Sequence, residues 1–439
     1  MRNSIMTRLF IVMLMLLAIG CGTRSEKENP TSEQNAPDTE QNVTHIKTNS
    51  TDTEKLSAGE IIKQVNASGT ITNAQAERLG KVRQRLELNS LTSITDQQAI
   101  SLSKIGYLYL NGLTAITDEQ AASLAYGQEG ELSLNGLTSI TDAQAFTLGR
   151  VQYWLELNGL TSITDEQAES LGQWRMEHLE LSGLTSINYK QAESLSKIEF
   201  LYLDGLTSIT DQQAESLGKV EELNLNGLIS ITDQQAKSLS KAGVLFLNGL
   251  TSITDAQAFT LGRVPHLGLN GLTSVTDPQA ESIGKVEGLE LNGLTSITDA
   301  QAFALGRVQH RLKLNGLTSI TDEQAKSLSK IGDLWLNGLT TITDEQAEIL
   351  SEVKWFFLNG LTTITDTQAE SLSQVKNRLY LTGLTSISDQ QAESLSKVGF
   401  LVLEGVTSIS DKQAEHLSKV RTLKISEDLK PLIDKYKKQ

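Results

Sequence analysis

The chain has one cysteine in 439 residues, Cys21, which excludes a disulfide framework or a thiolate metal cluster and leaves stability to packing. Aromatic residues are scarce at 5%, and apolar residues reach only 38%, a composition that suits a thin core made of a line of Leu, Ile and Ala. Basic residues are outnumbered, 38 Lys and Arg against 53 Asp and Glu, for a net charge of −15. That balance excludes a general nucleic-acid binder, because the cations that would neutralise phosphates are missing. The apolar run from Leu9 to Ile19 is too short to cross a bilayer as a mature helix, which needs about twenty residues. The five histidines are scattered: His45 stands near the N-terminus and His416 near the C-terminus, while His178, His266 and His310 precede separate strand signals. At about 4.8 Å per strand, four strand spacings put the first two of those three roughly 19 Å apart, beyond a shared metal. No catalytic constellation, metal site or cofactor is expected.

What the chain does have is one phrase said many times. Its copy from Ile331 to Leu350 reads IGDLWLNGLTTITDEQAEIL. Leu334 and Leu336 alternate with Trp335 in the period of a strand, Asn337-Gly338 turns the chain, and Leu339 and Ile342 point inward again. Thr343 and Gln346 are spaced as a capping box, Asp344 adds charge to the first helical turn, and Ala347 and Leu350 give that helix an apolar edge. The recurrent Thr-Asp pair reads as helix capping rather than as a row of catalytic or calcium-binding acids, and Pro278 after Asp277 agrees with a first helical turn. The aspartate recurs from Asp96 to Asp411 mostly every 22 residues, with degenerate copies at Asn73 and Tyr189. A fixed period of this length is the signature of a solenoid. The prediction is an α/β solenoid of about sixteen coils, with a parallel sheet on the concave face and short helices on the convex face.

The frame L-x-L-x-G-L-x-x-I-T-D-x-x-A-x-x-L over residues 70–425 resembles the leucine-rich repeat, in the variant known from the substrate-binding arms of F-box proteins. It departs from that pattern where the family usually has Cys or Asn, which here is Leu, as in Leu294 and Leu339. Asn two positions earlier, as in Asn292 and Asn337, is expected to bond the turns instead. An F-box adaptor role does not carry over, since the N-terminus offers an export signal in its place.

Residues 1–20 read as a secretory signal, with Arg2 and Arg8 ahead of the apolar run. The run ends Leu17-Ala18-Ile19-Gly20-Cys21, which resembles a bacterial lipobox and implies a lipid-modified Cys21, with an ordinary signal peptidase site as the alternative. Residues 21–55 are polar and nearly free of apolar side chains, a composition that cannot offset the entropy of ordering, and are expected to act as a tether. Ser57-Ala58-Gly59-Glu60 is a capping box that opens an N-terminal cap over 56–69, and residues 426–439, with Leu429, Leu432 and Ile433, supply a C-terminal cap and tail. Irregular coils are expected at Tyr126 to Gly130 and at Trp174 to Tyr189.

Residues between the two strand leucines vary from coil to coil and should face out of the core. Trp335, Phe357 and Tyr380 fall side by side there, with Val402 next in the row and Trp355 and Phe400 close by. Glu177, Glu180, Glu199, Glu221 and Glu222 gather toward the middle, whereas Arg311, Lys313, Lys376, Arg378, Arg421 and Lys424 flank the aromatic group. Contiguous exposed aromatics mark contact surfaces, although aromatic side chains also suit strands for packing alone. The expectation is a non-enzymatic surface or periplasmic binding arm, exported from a bacterial cell and anchored by its lipid at the outer membrane or cell surface. Trp335, Phe357, Tyr380, Trp355, Phe400, Val402, Lys313 and Arg378 would contact a protein or glycan. The alternative is an envelope-organising spacer without a specific ligand.

Overall fold

The computed structural model describes residues 56–437 apart from 83, 84, 127–129 and 175. The expected signal, Cys21 and tether lie outside the described residues. Sixteen strands form one sheet in strictly sequential order, from Leu86–Glu87 to Thr422–Ile425. Every pairing is parallel and in the same register, so Asp333, Leu334 and Trp335 stand beside Trp355, Phe356 and Phe357. A short helix, most often of seven residues, follows each strand of the array, as in Asp344–Leu350. The chain is a leucine-rich-repeat-type solenoid. Strands stack at about 4.8 Å and helices need about 8–10 Å, so the sheet takes the concave side.

One coil shows how the phrase becomes structure. Ile331, Leu334, Leu336, Leu339, Ile342, Ala347 and Leu350 are all buried in a core that runs unbroken from Ile61 to Ile433. Thr343 caps the helix: its side chain accepts from the Gln346 N–H, while Gln346 Oε1 accepts from the Thr343 N–H at 3.0 Å. The capping box is present in helix after helix, including Asn188–Gln191 in the degenerate copy.

Polar side chains also run from coil to coil. Asn315 Oδ1 accepts from the Asn337 N–H at 3.1 Å, and Asn337 Oδ1 from the Asn359 N–H at 3.0 Å. This is the asparagine ladder expected in place of the family's usual polar position. Where the asparagine is missing, Asp204 accepts from the Asn226 N–H at 2.9 Å. Two further ladders exceed the capping role read from the sequence. The Gln324 amide donates to the Ile297 carbonyl of the coil before at 2.9 Å, and the Thr321 hydroxyl donates to Asp299 at 2.9 Å. The glutamine thus caps its own helix with one end and ties the previous coil with the other.

The Asn-Gly pair does not turn the chain through a left-handed glycine, since the described glycine with positive φ is Gly69, after the first helix. Its glycine is needed for close approach. A Cβ on Gly338 would lie 2.2 Å from the Asn315 carbonyl oxygen and 2.5 Å from that of Leu317.

The ends are covered by helices of their own. Ala58–Ser68, capped by Ser57 and Glu60, inserts Ile61 and Val65 into the core. Lys430–Lys437 inserts Ile433, with Leu429, Leu432 and Tyr436 packed beside it. The irregular coils keep the pattern: the helix Asp118–Tyr126 is longer than its neighbours, and Asn188 takes the threonine's place as cap.

Replacing Gly316 by Ala would put a Cβ 2.4 Å from the Asn292 carbonyl oxygen and is expected to cost about 1–3 kcal/mol by overpacking. Gly332→Ala, whose Cβ would meet the His310 carbonyl oxygen at an ordinary 3.5 Å, should leave stability unchanged or slightly raised. Thermal midpoints of the two variants compare the effects directly.

Candidate functional site

Each three-residue strand buries its central side chain and turns its first and third outward. Two outward rows therefore run the length of the sheet. In the third-residue row, the Trp335 and Phe357 rings stack at 3.8 Å and 19°, and Phe357 and Tyr380 at 4.1 Å and 17°. Lys313 Nζ covers the far side of Trp335, 4.8 Å from the ring centre, and is ion-paired with Glu290. The indole N–H donates to Asp333 at 2.7 Å, and Asp333 also holds Arg311 at 2.6 Å.

The first-residue row carries the neighbouring group. The Arg378 guanidinium lies between two rings, 4.6 Å from Trp355 and 4.7 Å from Phe400. Tyr380 and Phe400 join the rows at 6.0 Å. The structure therefore brings Lys313, Trp335, Phe357, Tyr380, Trp355, Arg378, Phe400 and Val402 into one patch, all outside the leucine core. They are not equally accessible. Phe357 is only 7% exposed, because a ring covers each of its faces, and Val402 is 2% exposed. Trp335, Tyr380, Trp355, Arg378 and Phe400 are half-buried.

A second stack was not read from the sequence. Trp154 and His178 lie face to face at 4.1 Å and 9°, and His178 and Phe200 at 4.2 Å and 12°. Tyr202 adjoins Trp154 at 5.8 Å. Its signal lies one residue ahead of each strand leucine, in the row that also holds Trp355, Arg378 and Phe400. His178 is a member of this stack, and burial holds its pKa below the usual imidazole value against the pull of Glu177 and Glu222.

The two stacks differ in charge. Around the Trp335, Phe357 and Tyr380 group stand Lys313, Arg311 and Arg378, while around Trp154 and His178 stand Glu131, Glu156, Glu180 and Glu222. Glu156 accepts from Ser133 at 2.6 Å and from Asn135 at 2.7 Å, and Glu180 accepts from Asn158 at 2.9 Å. Burial pushes the pKa of Glu131 and Glu180 up, against the Asn158 hydrogen bond in the case of Glu180. A carboxylate raised in the folded state binds more protons there than in the unfolded chain, so its effect is to lower stability as pH rises through the raised value. Glu180→Gln keeps an acceptor for Asn158 and removes the half-buried charge. Its thermal midpoint at pH 7.5 should exceed that of the parent by roughly 1 °C or more, and the gap should close as the pH is lowered toward 4.

No family model matches the chain, and no curated protein matches it. Solved structures do. An internalin, inlF, from Listeria monocytogenes aligns over 83% of this chain and 93% of its own, at 16% identity and a TM-score of 0.39. A TLR13 chain, from its complex with ssRNA13, aligns over 81% of this chain at 15% identity and a TM-score of 0.42. This chain covers 62% of that TLR13 chain. The solenoid is established by the chain's own sixteen-strand sheet and does not depend on these likenesses.

Proposed function

We propose that this chain is a non-enzymatic binding arm, exported and held to an envelope membrane through a lipid on Cys21, that captures a protein or glycan with the strand face of its solenoid. The observation that carries this reading is the contrast between the two sides of one sheet. The inward residues and the three polar ladders repeat with little change, whereas the outward rows hold Trp, Phe, Tyr, Arg, Lys and Glu in an order that never repeats. Packing requires no such variation. Half-exposed aromatic edges beside fixed cations are the chemistry of interface anchors. Trp335 is held by Asp333, and Arg378 is clamped between two rings, so these groups lose little freedom on binding. Among the described residues no helix is long and apolar enough to cross a membrane, and attachment rests on the resemblance of residues 17–21 to a lipobox.

A spacer role has one observation in its favour: the glutamine ladder runs from coil to coil on the helix side, away from the outward rows, whatever those rows carry. Deleting two whole coils from the middle separates the readings. A spacer loses activity in proportion to length, whereas an arm with its aromatic patch intact keeps its ligand.

Replacing Trp335, Phe357 and Tyr380 together by Ser should weaken capture of the partner from surface-labelled cells at least tenfold, about 1.4 kcal/mol. The rings lie outside the core, so the far-ultraviolet circular dichroism should be retained. Unchanged capture by a folded triple variant would remove these residues from the site.

A further inference from the structure

Beside the aromatic patch, the loops leading into the strands at Arg311, Asp333 and Trp355 enclose an open groove of about 480 Å³, within the size range of small-ligand sites. One wall is the indole of Trp355. Arg378 is stacked on that ring from the following coil, 4.6 Å away, and no residue of that coil lines the groove. The side of the ring toward the groove is therefore the free one, and it is held rigidly. The floor at Gly332 has no side chain, and exposed His310, Lys330 and Lys354 stand around the rim. Arg311 and Asp333 also line it but neutralise each other at 2.6 Å, which leaves Lys330 and Lys354 against Glu352 as the charges a ligand would meet.

This cationic character continues beyond the groove. The loops entering the last five strands carry Lys330, Lys354, Lys376, Lys397, Lys419 and Arg421, with Glu352 as their acid. The corresponding loops of the middle coils set Glu199 against Lys197 and Glu221 against Lys219, so they carry no net positive charge. Residues 299–439 hold 17 Lys and Arg against 18 Asp and Glu, so the first 298 hold 21 against 35 and account for nearly all of the −15 charge. Successive coils, about 4.8 Å apart, thus offer a track of ammonium and guanidinium groups leading away from one flat indole.

Resting on the binding-arm reading above, we propose that this groove and track bind an acidic polysaccharide. One uronate-type ring lies against Trp355, with its carboxylate on Lys330 and Lys354, and the carboxylates of the following sugars lie along the entry loops. A pyranose presents a flat face of C–H bonds to the indole and hydroxyls to His310 and His266, and a linear polymer repeats its charge as the coils repeat theirs. A globular protein surface would need a broader apolar contact than the one indole face the groove supplies.

The test uses the full chain with immobilised polygalacturonate, its methyl ester, in which each carboxylate charge is replaced by a neutral ester, and poly-glutamate. The charged polysaccharide should bind, with an affinity that falls as salt is raised, and the methyl ester should bind at least tenfold more weakly. Lys330→Glu with Lys354→Glu should reduce binding to polygalacturonate tenfold or more. Trp355→Ala should reduce it by a similar factor with the thermal midpoint kept near that of the parent. Lys237→Glu, an exposed change on the helix side, should leave it within twofold. Equal binding of the methyl ester, or no effect of the double reversal, overturns the proposal. Binding of poly-glutamate alone, lost in the same double variant, overturns the saccharide class and leaves the binding arm standing. No binding to any of the three probes, with capture from labelled cells still sensitive to the Trp335, Phe357 and Tyr380 substitutions, likewise overturns only the groove assignment.

Discussion

One buried bond sets the terms for the whole array: the amide of the capping glutamine donates to an isoleucine carbonyl one coil back, as Gln324 does to Ile297 and Gln368 to Ile342. A buried donor left without its acceptor costs about 1–3 kcal/mol, so each coil must find its neighbour in register before the amide of its capping glutamine is satisfied. The same glutamine closes the capping box, which ties local helix formation to stacking. A coil cannot fold well and stack badly. This is why Thr, Asp, Gln and Ala recur at fixed spacing, and why stability accumulates by neighbour contacts rather than in a central core.

The same constraint determines where the chain is free. Coils of 23 residues occur between Asp142 and Asp165, between Asp299 and Asp322 and between Asp366 and Asp389. In each, the extra residue falls in the loop between helix and strand, as at Gln309-His310 and Lys376-Asn377, and never between the strand and the cap. An insertion on the turn side would break the asparagine and glutamine ladders at once, whereas the entry loop is required only to deliver the chain to the next strand. That loop borders the outward face. Tolerance of length and variety of side chain are therefore found at the same edge of the molecule.

Much of this was legible in the sequence, because the period, the capping box and the inward leucines each depend on residues within one coil. The Asn-Gly turn was legible, but the need for its glycine was not, since the carbonyls it must approach, those of Asn315 and Leu317 in the case of Gly338, belong to the preceding coil. The second bond of the glutamine escaped for the same cause. So did the stack of Trp154, His178 and Phe200, which exists only when three coils are laid side by side. Interactions between coils are local in space and about 22 residues apart in the chain, and a pattern read along one coil cannot show what its side chains meet across the next.

Stacking also changes what an aromatic row can do. Rings placed on successive strands at about 4.8 Å fall face to face, and the Trp335, Phe357 and Tyr380 series spends most of its flat surface on itself, leaving Phe357 nearly covered. The faces that remain are at the ends of each series or beside a small neighbour. Lys313 already takes the end at Trp335, and Arg378 takes one face each of Trp355 and Phe400. Trp355 has its opposite side on a groove floored by Gly332 and the short side chain of Asp333. An array that uses its aromatic residues to stiffen the sheet can therefore offer a flat ring to a ligand only where one of the two adjacent coils withholds a large side chain, as the preceding coil does for Trp355, and the choice of residue beside the ring sets the site as much as the ring does.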